Sequence, residues 1–186
     1  MTERAKGKPG PAYLPGDTAA GVEAMIRVDH AGEFGAVRIY EGQLSVLAPG
    51  PDRDAVLEME TQEKRHLETF ETLIVERRVR PTLLSPLWRV AGFALGSLTA
   101  RMGPRAAMAC TVAVEEVIDG HYREQAARLG ADESELKATI EAFRAEELAH
   151  RDTALERGAE RAPGYLALSA VVKAGSKLAI WLSTRL

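Results

Sequence analysis

The sequence predicts an all-α protein: a bundle of four long helices with an apolar crossover between its halves and one further amphipathic helix at the C-terminal end. Three observations carry that prediction. Apolar residues recur at helical spacing, and no period-two run bounded by turn residues interrupts them. Pro and Gly fall in a few short clusters that cut the chain into segments of helical length. The chain also carries one arrangement twice, a Glu on one segment and Glu-x-x-His on the next.

Residues 1–16 read as a flexible tail, without an apolar core for export and too Pro/Gly-rich for an amphipathic transit peptide. Residues 17–186 read as one domain, a length that buries a core without staples. Asp17 is a good N-cap for a first helix reaching about Ala48, which Pro49-Gly50-Pro51 breaks. Asp52 then caps a second helix to about Arg78, completing a hairpin over 17–78. Pro81 and Pro86 punctuate a crossover over 79–103, whose apolar part runs from Leu87 to Met102. A third helix spans Pro104 to Leu129, and Gly130 stops it. Asp132 with Glu135 reads as a capping box opening a fourth helix to about Arg157, so the second hairpin is 104–157. A last helix occupies 163–186. Ferritin-like bundles share the single long crossover.

A formal charge of −3 argues against a nucleic-acid binder, although arginines cluster between Arg77 and Arg105. The single cysteine, Cys110, lies in an apolar run and reads as a buried thiol in a reducing compartment. The longest uncharged stretch, Val90 to Ala100, is well under the ~20 residues that span a bilayer, so a surface-bound protein is expected rather than a transmembrane one.

The repeated arrangement consists of Glu33 with Glu63-Lys64-Arg65-His66, and Glu115 with Glu147-Leu148-Ala149-His150. Residues three apart on a helix share a face, so each Glu-x-x-His can reach one metal, and the fourfold combination is that of di-iron and di-manganese bundles. Depth agrees. Measured from the two turns at 1.5 Å per residue, the first set lies about 20–25 Å deep and the second about 24–28 Å. Four carboxylates in one core need neutralising, and two divalent ions supply the charge; mixed carboxylate and imidazole ligation suits iron or manganese. Spacing alone leaves Glu60, Glu116 and Glu146 open as alternatives or outer partners. Gly32 and Gly35 point to a close helix contact or a cleft beside the metals. Tyr122, seven residues after Glu115, borders the same stripe as a hydrogen-bond donor, whereas His30 and His121 read first as surface or core histidines.

The segments IRVDHAGEFGAVRIYEGQ (26–43), QEKRHLETF (62–70), RVRPTLLSPLWRVAGFALG (78–96), MACTVAVEEVIDGHY (108–122) and FRAEELAHRD (143–152) resemble the demethoxyubiquinone hydroxylase family. These are membrane-associated di-iron monooxygenases of late ubiquinone biosynthesis. The resemblance implies two iron ions on Glu33, Glu63, His66, Glu115, Glu147 and His150, with His121 and Tyr122 near the quinone and the centre. It also implies hydroxylation of a polyprenyl quinone precursor with O2 and two electrons. A lipid-binding accessory protein becomes a plausible partner, a homo-oligomer is allowed, and the place of work is the cytoplasmic face of a bacterial plasma membrane. The apolar crossover and the last helix would then lie in the bilayer interface, with Trp88 and Trp181 at headgroup depth and the arginines facing anionic lipid. Competing readings are a ferritin- or rubrerythrin-like oxidase or peroxidase, which lacks a Cys-x-x-Cys pair here, a di-iron enzyme of tRNA, which the acidity disfavours, and a non-enzymatic helical adaptor.

Overall fold

The computed structural model describes residues 19–186, so the expected Asp17 cap lies outside the described residues. α1 runs Ala20–Leu44, α2 Pro51–Glu76, α3 Ser85–Arg101, α4 Pro104–Arg128, α5 Ser134–Glu156 and α6 Tyr165–Ser183, and among the described residues there is no strand. α1 with α2 and α4 with α5 form the two hairpins, α3 lies on α1 as the crossover, and α6 lies on α4.

Two expected caps are not formed. Pro51 takes the first helical position of α2, where its missing N–H costs nothing, so Gly50 becomes the cap and Asp52 sits in the first turn, 3.2 Å from Arg157. At the other turn a 3-10 segment, Ala131–Glu133, intervenes, and α5 starts at Ser134 with no side-chain cap. The Glu133 carboxylate is drawn away instead, accepting two 2.8 Å hydrogen bonds from Arg77 at the far end of α2.

The core is divided along the bundle axis. One apolar cluster gathers Tyr40, Val56, Met59, Met108 and Ala154; another gathers Ile26, Phe70, Tyr122, Leu136 and Ile140. On every inner helix the residues of the repeated arrangement fall between those two sets, which puts them at mid-bundle. Cys110 is fully buried, and burial pushes its thiol up to about 12.

α3 reaches α1 by backbone contact. A Cβ on Gly96 would lie 1.9 Å from the Ile39 carbonyl oxygen, and one on Gly42 would lie 2.2 Å from that of Phe93. Gly32 and Gly35 make no such approach, since a Cβ would meet only Ile118 at 3.9 Å in the first case and nothing within 4 Å in the second. They border a cleft.

Candidate metal centre

Glu33 on α1, Glu63 and His66 on α2, Glu115 on α4, and Glu147 and His150 on α5 are all buried. Their ligand atoms form two overlapping groups, Glu33–Glu63–His66–Glu147 and Glu63–Glu115–Glu147–His150. Within each group the atoms lie within 4.8 Å of one another, close enough to hold a metal ion. Glu63 and Glu147 belong to both groups, so the pair of sites shares two carboxylates and keeps one Glu and one His for each side.

Both histidines turn Nδ1 inward. His66 Nδ1 lies 3.1 Å from Glu147 Oε1 and 3.5 Å from Glu33 Oε2, and His150 Nδ1 lies 3.1 Å from Glu147 Oε2 and 3.2 Å from Glu63 Oε1. Near as they are, His66 Nδ1, Glu33 Oε2 and Glu63 Oε1 make no aligned hydrogen bond. Buried atoms that converge without pairing fit a common third partner, and a cation is the partner that carboxylate oxygens and an imidazole lone pair share.

The protein groups alone carry the strain of four carboxylates in one apolar layer. Burial, then repulsion from Glu147, pushes Glu63 and Glu115 well above the usual carboxylate range. Burial acts on Glu147 in the same direction, but the hydrogen bond with His150 and the His66 ring close beside it outweigh that and hold the carboxyl at about 2. For His66 burial disfavours the charged ring, yet the Glu147 and Glu33 carboxylates beside Nδ1 raise it to about 10.

Outer partners fix the ligands. Tyr122 donates to Glu33 Oε1, as its position after Glu115 predicts. Tyr40 does the same for Glu115 Oε1 at 2.9 Å, and it stands seven residues after Glu33, so the rule that finds Tyr122 also finds Tyr40. His66 Nε2 meets Glu146 Oε2 at 3.0 Å, and His150 Nε2 meets Gln62 Oε1 at 2.7 Å. Phe143 stacks on the His66 ring, with centroids 3.9 Å apart. Of the alternatives left open by spacing, Glu146 is thus an outer partner, Glu116 pairs with Lys173 away from the cluster, and Glu60 pairs with Lys64 at 2.9 Å.

Beside the cluster runs an apolar cavity of about 390 Å3 between α1, α3, α4 and α6. Gly32 and Val114, in its wall, immediately precede Glu33 and Glu115, while α2 and α5, which carry the histidines, contribute nothing to it. Gly35 lines it as well. His121 stands outside this cavity. Its Nε2 lies 3.3 Å from Asp29 and 2.9 Å from the Gln125 amide, at the edge of a polar pocket with Lys173 and Lys177, and Ile180 borders both spaces. His30 is half-buried outside the cluster, and burial lowers its pKa.

Known proteins resemble this chain along nearly its whole described length. It is 58% identical over 175 residues, 92% of this chain and 82% of the relative, to a Rhodospirillum rubrum protein named 3-demethoxyubiquinol 3-hydroxylase. To the mitochondrial NADPH-dependent 3-demethoxyubiquinone 3-hydroxylase of Dictyostelium discoideum it is 57% identical over 167 residues, 88% of this chain and 77% of that one. To the mitochondrial 5-demethoxyubiquinone hydroxylase of Saccharomyces cerevisiae it is 41% identical over 202 aligned positions, covering 100% of this chain and 87% of the other. Residues 20–183 match the family described as ubiquinone biosynthesis protein COQ7, and with the four-helix carboxylate cluster inside that span, the chain belongs to this family.

Proposed function

We propose that Glu33, Glu63, His66, Glu115, Glu147 and His150 hold two iron ions, and that the chain hydroxylates the ring of a demethoxylated ubiquinone precursor with O2 and two electrons. The observation that carries the reading is the pair of buried ligand groups sharing Glu63 and Glu147. Four carboxylates and two inward Nδ1 atoms match the charge and donor preference of two iron ions. When bound, that pair supplies the activation of O2 and the transfer of an oxygen atom. The relatives' names favour hydroxylation over a ferritin- or rubrerythrin-like oxidase, a tRNA enzyme or an adaptor, and the Dictyostelium discoideum relative is named NADPH-dependent, an electron source we extend to this chain.

The protein's own groups bind, orient and exclude water. The apolar cavity accepts the quinone ring on the Glu33 and Glu115 side; its walls are mainly Gly, Ala, Val, Leu and Ile, and of its polar lining residues Trp88 and Ser183 are hydrogen-bonded to each other. Tyr122 and Tyr40 hold the two unshared glutamates. His121 acts through Asp29, bracing the stretch of α1 that leads to Glu33.

A polyprenyl tail must leave toward lipid, and α3 and α6 supply an apolar exterior for that. Val90 is 68% exposed, Leu166 82% and Trp181 52%. α6 is the one described helix long and apolar enough to cross a membrane by length and composition. Its packing along α4 and its mid-helix Lys173 and Lys177 argue for lying in the interface, peripheral to the cytoplasmic face of a bacterial plasma membrane. Arg89, Arg101 and Arg105 are exposed and suit anionic lipid, whereas Arg77 is committed to Glu133. Trp88 is half-buried, lines the cavity and donates its indole N–H to Ser183, so Trp181 alone of the two stands outward. The same exterior would receive a lipid-binding accessory protein.

Iron per chain and a Mössbauer spectrum test the centre, followed by product analysis with a demethoxyquinone and NADPH. About two coupled irons in the wild type and their loss in Glu147→Ala is the expected result. A protein reconstituted without oxygen that binds no specific iron would end this reading.

A further inference from the structure

The two halves brace each other across the cluster. Each tyrosine stands seven residues after the first glutamate of its own half and donates to the first glutamate of the other, Tyr40 to Glu115 and Tyr122 to Glu33. The histidines are crossed in the same way. The residue just before each Glu-x-x-His motif meets the outer nitrogen of the opposite half's histidine: Glu146 meets His66 Nε2 at 3.0 Å, and Gln62 meets His150 Nε2 at 2.7 Å. The tyrosines match; these two partners do not. One is a carboxylate, held also by Arg65, and the other is a neutral amide.

We infer that Glu146 and Gln62 are positioning residues that make the two metal sites chemically unequal, an inference that rests on the metal reading above. With Nδ1 turned to the cluster, each ring carries its proton on Nε2 and donates it outward. A carboxylate draws on that proton harder than an amide oxygen does, and so makes the ring the stronger metal donor. His66 is fully buried, so its share of this effect is little screened, although Glu146 and Arg65 both reach water. The site of Glu33 and His66 therefore binds a divalent ion more tightly than the site of Glu115 and His150. It also favours the higher charge state, which leaves the His150 side the easier one to reduce.

The experiment is an anaerobic titration of the metal-free full chain with Fe(II), in the wild type, in Glu146→Gln and in Gln62→Glu. The wild type is expected to fill in two distinguishable steps. Glu146→Gln weakens the tighter step by about 10–100-fold, the usual cost of losing an outer partner, and draws the two affinities together. Gln62→Glu tightens the weaker step, with the same convergence, and the two ferrous Mössbauer doublets approach each other in both variants. Each swap keeps side-chain shape and an acceptor oxygen, so a merely structural role predicts no change in either. Two ions bound with both steps unmoved in both variants would overturn the inference and leave the metal reading standing. No binding by the wild type would overturn the metal reading and take the inference with it. Should Glu146→Gln lose its fold, Gln62→Glu decides alone.

Discussion

The inner four helices and the outer pair follow opposite rules. α1, α2, α4 and α5 turn apolar side chains inward and interrupt them with the Glu/His layer at mid-bundle, with Asp29 and Gln125 on one side of it and Gln43 on the other also buried. α3 buries Gly92, Gly96, Ser97, Thr99 and Ala100, and α6 buries Ser169, Val172 and Ser183, while Val90, Leu98, Leu166 and Val171 face out. The inner set is therefore held by apolar burial and burdened by its carboxylates. Of the outer pair, α3 is held by close backbone approach and α6 by Val172 and Leu168 against α4, and both expose much of the area that would normally stabilise a helix. The buried Glu/His cluster resides in the first region, and the second presents an apolar exterior.

The largest effect should come from the polar layer. Glu147 is shared by both ligand groups, so Glu147→Ala should lose both ions and lower hydroxylation more than about 100-fold. Glu33→Ala, which touches one group only, should leave about one ion per chain. Metal analysis after gel filtration separates the two, and equal losses in both variants would contradict the shared-carboxylate arrangement.

The seam between the regions comes next. Gly96→Ala forces a Cβ to 1.9 Å from the Ile39 carbonyl and should cost about 1–3 kcal/mol, a fall of several degrees in thermal midpoint at roughly 2–4 °C per kcal/mol for a chain of this size. Gly35→Ala meets nothing within 4 Å and should be neutral or stabilising by up to about 1 kcal/mol. If the two variants melted alike, α3 would not be held by backbone contact.

A smaller and more selective effect belongs to the exterior. Val90→Ser with Trp181→Ser should weaken binding to anionic vesicles at least about tenfold, because two large apolar side chains no longer leave water. Iron content and thermal midpoint should hold, since both residues are exposed. Flotation that is equal for variant and wild type would remove the interface from α3 and α6.

Legibility in the sequence follows the range of each interaction. Glu-x-x-His is a local pattern, and the depth of Glu33 and Glu115 follows from helix rise, so the two candidate sets were legible from spacing, while the choice over Glu60, Glu116 and Glu146 rested on the family resemblance. Tyr122 was within reach of the same periodicity, and Tyr40 was equally so, because seven residues after Glu33 is the same step as seven after Glu115. Gln62 was not legible as a partner, nor was the histidine that Glu146 meets, because the two contacts join residues of opposite halves 88 and 80 positions apart. The α3 glycines were visible as Gly92-Phe-Ala-Leu-Gly96, yet only the neighbouring α1 backbone explains them. The capping box failed because a 3-10 segment takes in Asp132, so α5 starts at Ser134 and Asp132 no longer stands at the cap position.

The two regions should also part in their response to pH. In the metal-free protein His66 is raised from 6.5 to about 10, so the folded chain holds a proton that the unfolded chain releases. That stability is fully present below about pH 6.5 and is lost as pH rises toward 10. Glu63 and Glu115, raised by burial, push the same way above their usual 4.5. Glu147, lowered from 4.5 to about 2, adds stability that is present above 4.5 and lost only as pH falls toward 2. The thermal midpoint of chelator-treated protein should therefore fall between pH 6.5 and 10. Iron displaces these protons and binds more tightly as pH rises, so the gap between loaded and metal-free midpoints should widen over the same range. Unfolding scans at several pH values, with and without Fe(II), measure both slopes. A metal-free midpoint that rose through this window would mean that the inner layer does not hold its protons as the buried geometry requires.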